Sequence, residues 1–153
     1  MANILIRCFA WLLFERNTKG KSYADNKRQL EESATLVQSM IDEASDNEKS
    51  RQELLHIIGM ERWMQSRMKV VLGEPFTQEE YDGYRPPEDA GWQDLKQAFI
   101  QTRHDSYDIC DALATKNVDG SQTVTHNQLG ELSIRAWMEY MLIHSRDHAK
   151  RMT

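Results

Sequence analysis

The sequence predicts an all-α fold, a bundle of helices in one domain. Among 153 residues only seven are glycine and three are proline, and long stretches contain neither. Within those stretches apolar residues recur every three or four positions, the spacing of one face of a helix. Hydrophobic residues make up 40% of the chain and charged residues 28%, which is typical of a packed domain rather than a disordered chain. We therefore expect residues 1–153 to form a single helical domain.

Five helical segments account for these patterns. They cover residues 3–15, 22–45, 47–72, 92–115 and 127–151. The second segment begins after Ser22, a residue type that caps helix N-termini. Its apolar residues alternate by four and three along one face: Leu30, Ala34, Val37, Ile41 and Ala44.

The remaining long segments have similar inward faces. The third carries Leu54, Leu55, Ile58, Trp63 and Val70, and the fourth carries Trp92, Leu95, Phe99, Ile109 and Leu113. An eighteen-residue connection, 74–91, separates these two segments and is long for a turn between helices. Thr125 or Asn127 is suited to cap the fifth segment. Its apolar side then includes Leu129, Leu132, Trp137 and Met141, with His144 and His148 in the same file.

Charge and cysteine content exclude several classes of partner. The net charge is −5, and no block of basic residues appears, so nucleic acid is not expected to bind. The apolar residues 1–14 are too short to span a bilayer and lack the cleavage site of a signal peptide, so no membrane partner is expected. Two cysteines, Cys8 and Cys110, are too few for a disulfide framework. They suit core positions in a protein of the reducing cytoplasm.

The last helix carries the strongest functional signal. His144 and His148 are four residues apart, so on a helix they lie one turn apart on the same face. They continue the inward stripe through Trp137 and Met141. Two imidazoles in this arrangement can bind one metal ion, which would also supply partners to groups that are costly to bury alone.

A metal site needs a third ligand, and His56 is the best candidate. It lies in the apolar stretch LLHIIGMERW, with Met60 and Trp63 on the same face. The alternative for His56 is a core histidine that is hydrogen-bonded to a carbonyl group. His104 is predicted to face solvent, and His126 is predicted to be a turn residue ahead of the last helix.

Two motifs resemble those of a known family. HIIGMERWMQSRM at 56–68 resembles the first histidine motif of the DinB/YfiT-like superfamily of metal-binding helical bundles. LSIRAWMEYMLIHSRDHAKRM at 132–152 resembles that family's last helix, which carries an H-x-x-x-H pair. The resemblance covers about residues 22–152. It implies a four-helix bundle with an unusual order of helix directions, to which residues 1–20 add an N-terminal extension with one more helix.

The resemblance also implies a metal centre and a chemistry. The family's three metal-binding histidines correspond to His56, His144 and His148. The implied metal is a divalent ion, commonly zinc or nickel, and many members form homodimers. Better-understood members activate a low-molecular-weight thiol, and others are described as metal-dependent hydrolases. After the last histidine this chain has AKR where many members have an RGQ-like run, a difference at the mouth of the expected pocket.

The sequence therefore predicts a metal-dependent enzyme, a thiol S-transferase or a hydrolase that acts on a small molecule. Three neutral ligands leave an open position on the ion, whereas structural zinc sites normally close with four protein ligands. Such an ion activates a bound thiol or water. Tyr140 and Arg151, each about one turn from the histidine pair, are weak candidates for catalytic helpers. Trp63 and Trp137 are candidates for the pocket wall or the core. No carboxylate is an evident general base.

Two other interpretations stay open. One is a non-catalytic, stress-related metal-binding protein, which a fourth protein ligand on the metal would favour. The other is a helical interaction protein in which the histidines never meet, and its mark would be His56 far from the pair. The first helix has apolar residues all round, namely Leu5, Phe9, Trp11, Leu12 and Leu13. Packing on a partner subunit and packing on its own bundle are equally compatible with that pattern.

Overall fold

The computed structural model describes residues 4–152, apart from the side chains of residues 4, 6 and 7. In chain order the elements are α1 (Ile4–Ala10), a π-helical turn (Trp11–Glu15), α2 (Tyr23–Glu43), α3 (Glu48–Val70), a 3-10 turn (Tyr81–Tyr84), α4 (Trp92–Thr115), β1 (Thr123–His126), β2 (Gly130–Ser133) and α5 (Ile134–Ala149). The predicted predominance of helix is confirmed, and a two-stranded antiparallel sheet is added to it. No helix within residues 4–152 is long and apolar enough to cross a membrane.

Side-chain caps set the starts of the long helices. Ser22 caps α2 as predicted: its hydroxyl accepts a hydrogen bond from the Asp25 backbone N–H at 3.1 Å. The Asp25 carboxylate accepts one in return from the Ser22 N–H at 3.0 Å. Asn47 caps α3 by accepting from the Ser50 N–H at 2.9 Å. Each cap satisfies backbone donors that have no partner inside the helix, which is worth about 1 kcal/mol.

The four long helices pack so that α2 and α3 each contact both α4 and α5. The core between them contains most of the side chains that the apolar spacing placed inward, each at most 4% exposed: Leu30, Val37, Ile41, Leu54, Leu55, Ile58, Trp63, Leu95, Phe99, Ile109, Leu113, Trp137 and Met141. Burial of each such side chain contributes about 1.5–3 kcal/mol. This packing holds the two histidine-bearing helices, α3 and α5, side by side.

The predicted start of the last helix at residue 127 is wrong. Residues 123–133 form a β-hairpin in which His126 pairs with Gly130 across a three-residue loop. Gly130 has φ +84°, the left-handed conformation that ends a loop of this length and that glycine adopts without strain. The cap of α5 is Ser133, whose hydroxyl accepts from the Ala136 N–H at 3.1 Å. Thr125 and Asn127 therefore do not cap the helix.

The N-terminal segment packs on the helices through one face only. Ala10 and Phe14 are buried, whereas Phe9, Trp11 and Leu12 are more than half exposed. The Glu15 carboxylate accepts hydrogen bonds from the Ser133 N–H and hydroxyl, both at 2.8 Å, and so ties the segment to α5. The predicted first residue of this helix, residue 3, lies outside the described part of the chain. The expected core positions of the cysteines are half right, because Cys110 is buried and Cys8 is exposed.

The long connection between α3 and α4 runs closely over α3. The Trp63 indole N–H donates to the Glu79 carbonyl at 2.8 Å, and the Arg67 guanidinium donates to the Thr77 and Glu79 carbonyls. At Gly59 a Cβ atom would lie 2.7 Å from the Cγ of Arg85. The absence of a side chain at Gly59 therefore lets the connection pass against α3, close to His56.

Candidate metal centre

Three imidazoles meet between α3 and α5. His56 lies in the middle of α3, and His144 and His148 lie one turn apart near the end of α5. The Nε2 atoms of His56 and His144 are 3.0 Å apart. Ring centroids of the three pairs are separated by 4.9, 4.4 and 4.3 Å. The helix packing thus brings together the three histidines that sequence spacing alone could only align in pairs.

Burial controls the protonation of two of these rings. It lowers the pKa of His56 from 6.5 to about 4 and that of His144 to about 2, and the electrostatic effect of His148 adds to both shifts. Both rings are therefore neutral at pH 7. Neutral imidazole is the form whose nitrogen lone pair binds a metal.

A carboxylate orients the third ring. Nδ1 of His148 lies 2.6 Å from Oε2 of Glu53, one turn before His56 on α3. The Nδ1–H of His148 donates to this carboxylate, which fixes the tautomer and leaves Nε2 free to bind an ion. Metal-binding histidines commonly have such an outer partner, which also raises the basicity of the ring. The sequence analysis missed Glu53, although its position three residues before His56 places it on a neighbouring part of the helix surface.

These three side chains fit a divalent transition metal. Their candidate ligand atoms all lie within 4.8 Å of one another. Nitrogens that share one tetrahedral zinc ion at about 2.1 Å lie about 3.4 Å apart, so the rings come together around an ion by moving roughly an ångström. Among residues 4–152, no other group of three or more histidine, cysteine or acidic side chains comes together in this way. An all-imidazole set suits zinc, nickel, copper or iron more than magnesium or calcium.

A cavity of about 350 Å³ opens beside the three rings. It is lined by His56, Met60, Trp63, Glu80, Tyr81, His126, Gln128, Tyr140, His144 and His148. Trp63 thus contributes to the wall. Trp137 is fully buried behind it and stacks on His126 with ring centroids 5.3 Å apart. The space and its polar lining are sufficient for a small molecule next to the histidines.

The two weak candidates for helper residues lie in different places. Tyr140 lines the cavity, one turn before His144, and burial raises the pKa of its hydroxyl to about 12, so it stays protonated. Arg151 is exposed and outside the cavity lining. Its Nη1 lies 3.4 Å from Nδ1 of His148. Since that nitrogen donates its proton to Glu53 at the shorter distance, it cannot also accept a hydrogen bond from Arg151.

The two remaining histidines differ from each other. His104 is exposed on α4, as predicted. His126, predicted to be a turn residue, is instead only 6% exposed at the end of β1, and its ring lines the cavity. The alternation of TVTH followed by Gly130 is a hairpin signal that could have revealed this placement.

Comparisons with known proteins identify no relative. No protein-family model, no curated protein and no solved structure matches this chain. Membership of the DinB/YfiT-like superfamily therefore stays a prediction that depends on the two histidine motifs quoted above.

Proposed function

We propose that this chain is a metal-dependent enzyme of the DinB/YfiT-like type, a thiol S-transferase or a hydrolase. In this proposal His56, His144 and His148 hold one zinc or nickel ion. The observation that carries it is the convergence of three imidazoles, one of them oriented by Glu53, on the wall of a cavity. A bound ion of this kind would lower the pKa of a thiol or water and so supply a nucleophile at neutral pH.

The residues around the cavity have separable roles in this proposal. Glu53 holds the His148 ring in the orientation and tautomer that binding requires. Trp63 and Met60 form apolar wall that excludes water from one side of a bound molecule. The protonated Tyr140 hydroxyl lines the cavity and is available there as a hydrogen-bond donor. Glu80 completes the wall, where the Asn127 amide donates to its carboxylate at 2.9 Å.

A non-catalytic metal-binding role is the alternative. It is favoured by the shortage of acid–base groups, since the one carboxylate that lines the cavity, Glu80, is held by Asn127. Against it stands the room beside the histidines, which a purely structural ion does not need. The interpretation as an interaction protein loses support, because Nε2 of His56 lies 3.0 Å from Nε2 of His144, whereas that interpretation requires His56 to be far from the pair.

The proposal extends to fold type, assembly and location. It takes α2, α3, α4 and α5 as a DinB-type four-helix bundle, the chain as a homodimer and the cytoplasm as its compartment. The exposed Phe9, Trp11 and Leu12 support a dimer contact, and the two unpaired thiols support a reducing compartment. Light scattering at a protein concentration well above micromolar tests the assembly. A mass near 17.9 kDa, that of one chain, would contradict the dimer.

The metal content of purified protein tests the metal centre. Wild type, His148→Ala and the matched control His104→Ala are purified without chelators and measured by elemental mass spectrometry. We expect about one zinc or nickel per chain in wild type and control, and a loss of that metal in His148→Ala. Absence of metal from all three proteins, even after incubation with zinc and nickel, would contradict the proposal.

Activity assays on the loaded protein then separate the two reaction types. A thiol such as glutathione or cysteine with an electrophilic acceptor tests transfer, and nitrophenyl esters test hydrolysis. Turnover that His148→Ala abolishes and His104→Ala retains supports an enzyme. A loaded protein that is inactive towards both substrate sets favours the binding role.

A further inference from the structure

The hairpin turn fixes the tautomer of His126. The backbone N–H groups of Gln128 and Leu129 both point at its Nδ1, each at 3.1 Å. An N–H group needs a lone pair as its acceptor, so Nδ1 carries no proton. The single proton of the neutral ring must therefore be on Nε2, where it can act only as a hydrogen-bond donor.

The Nε2–H of His126 is buried and has no hydrogen-bond acceptor among the described residues. The surrounding groups are aromatic: Trp63 lies edge to face at 5.0 Å, Trp137 stacks at 5.3 Å and Tyr140 is tilted at 5.6 Å between ring centroids. A buried donor without an acceptor costs about 1–3 kcal/mol. Ten buried side-chain nitrogen and oxygen atoms of the described residues lack a partner, and Nε2 of His126 is the one that belongs to the lining of the histidine cavity.

The same ring lies in the wall of the cavity that the three histidines line. Burial lowers the pKa of His126 to about 4, and Arg67 contributes a smaller effect in the same direction. The nearest carboxylate in the cavity wall, Glu80, opposes that effect only weakly. The ring is therefore neutral at pH 7. A neutral ring with a fixed N–H is a rigid donor of the kind that positions a carbonyl or carboxylate oxygen.

We propose that His126 binds the substrate of the proposed enzyme by donating its Nε2–H to a carboxylate or carbonyl oxygen next to the three histidines. That the bound molecule is a substrate rests on the proposed function. The tautomer of the His126 ring does not, because it follows from the two turn hydrogen bonds. Nε2 is covered in the structure, so binding requires the neighbouring cavity wall to move.

Two substitutions separate the two nitrogens of the ring. In His126→Asn the side-chain oxygen replaces Nδ1 and can still accept from the turn, but the Nε2–H donor is lost. In His126→Gln the amide N–H replaces Nε2, whereas the acceptor for the turn is lost. We therefore expect His126→Asn to retain the hairpin turn and lose the binding, and His126→Gln to show the opposite pattern.

The test is a titration of three proteins, wild type and these two variants, with acetate and with acetamide, with and without zinc. Nitrogen-15 NMR of the histidine rings first establishes the tautomer in wild type, where a proton on Nε2 is expected. The probe should then shift the His126 Nε2 signal. The dissociation constant should be about 3- to 10-fold weaker in His126→Asn and within about 2-fold of wild type in His126→Gln. Tighter binding of acetate than of acetamide assigns the acceptor as a carboxylate, and the reverse assigns a carbonyl.

The zinc content of the same samples keeps the two proposals distinguishable. Equal affinity in wild type and His126→Asn, a proton on Nδ1, or no binding of either probe would overturn the inference while the metal centre stands. Failure of all three proteins to bind zinc would contradict the proposed function. The tautomer and the ratio of affinities in the metal-free protein would then still decide whether His126 is a donor.

Discussion

Two polar clusters interrupt the apolar core of this protein, and they differ in the charge that their groups carry. One joins the middle of α3 to α4 through Glu61 and Arg103, which are 2% and 1% exposed. The other joins α3 to the end of α5 through the three histidines. Both place polar groups where water is scarce, but among the described residues only the second brings together three side chains that could hold a metal ion.

In the first cluster two opposite charges face each other, although Oε2 of Glu61 and Nε of Arg103 make no hydrogen bond with the described residues. Arg103 Nη2 lies 3.0 Å from the Glu61 carboxylate and donates to the Ser145 hydroxyl at 3.0 Å. The Ser106 hydroxyl donates to the other oxygen of Glu61 at 2.8 Å. Burial raises the pKa of the Glu61 carboxyl, and the Arg103 guanidinium opposes that rise. Such a pair can specify how two helices align.

In the second cluster the groups are imidazoles, and burial keeps His56 and His144 neutral. Their Nε2 atoms share one hydrogen bond at 3.0 Å, and the Nε2–H of His126 has no acceptor among the described residues. A neutral imidazole keeps a nitrogen lone pair that can bind a metal. The difference teaches that an ion pair inside the core aligns two helices, whereas neutral rings beside a cavity can bind a ligand.

The largest effect should come from breaking the ion pair between Glu61 and Arg103. Glu61→Ala leaves the Arg103 charge buried without its partner, which should lower the free energy of unfolding by about 3–5 kcal/mol, measured by urea denaturation. Its zinc content should remain that of wild type in whatever fraction stays folded.

The matched control is the double variant Glu61→Leu with Arg103→Met, which removes both charges and keeps the volume filled. We expect it to recover most of the lost stability. A cost below about 1 kcal/mol for Glu61→Ala, on the scale of an exposed ion pair, would show that the cluster is not the structural element described here.

An intermediate effect is expected when Glu53, the hydrogen-bond partner of His148, is removed. Glu53→Ala removes the carboxylate that orients His148 and should weaken zinc binding about 10- to 100-fold in a competition titration with a coloured chelator. Gln52→Ala, an exposed neighbour on α3, is the control and should bind as wild type does. Unchanged affinity in Glu53→Ala would mean that His148 needs no outer partner.

The smallest effect, taken per pH unit, concerns the pH dependence of stability. Below pH 6.5 the unfolded chain protonates His126, whereas in the folded protein its pKa is about 4. The folded state therefore binds fewer protons, and its stability falls as the pH drops from 6.5 towards 4, by up to about 1.4 kcal/mol per pH unit for this ring. In metal-free protein, urea denaturation between pH 4 and 8 should give a shallower loss for His126→Asn. Identical slopes would contradict the lowered pKa of His126.

The fold could be predicted from the sequence where local rules suffice. Apolar spacing and the cap at Ser22 located α2, α3 and α4 within a few residues, because helix periodicity and capping are properties of short segments. The start of α5 was missed. The stripe of Leu129 and Leu132 mimics a helix, and the competing hairpin depends on pairing between residues up to ten apart.

The candidate site could be predicted only in part, for a similar reason. The spacing of His144 and His148 is local, and His56 followed from its apolar surroundings. Glu53 and His126 act through contacts that exist only once α3, α5 and the hairpin pack together. The spacing of Glu53 from His56 and the hairpin pattern around His126 were available in the sequence, but neither says that the side chain reaches the site, so neither residue was assigned to it.

Anomalous diffraction from crystals soaked in zinc, recorded on both sides of the zinc absorption edge, tests the central claim most directly. We expect one strong peak about 2.0–2.1 Å from a ring nitrogen of each of His56, His144 and His148, with its remaining side open to the cavity. No peak there, or a peak closed by a fourth protein ligand, would contradict an open metal centre in this protein.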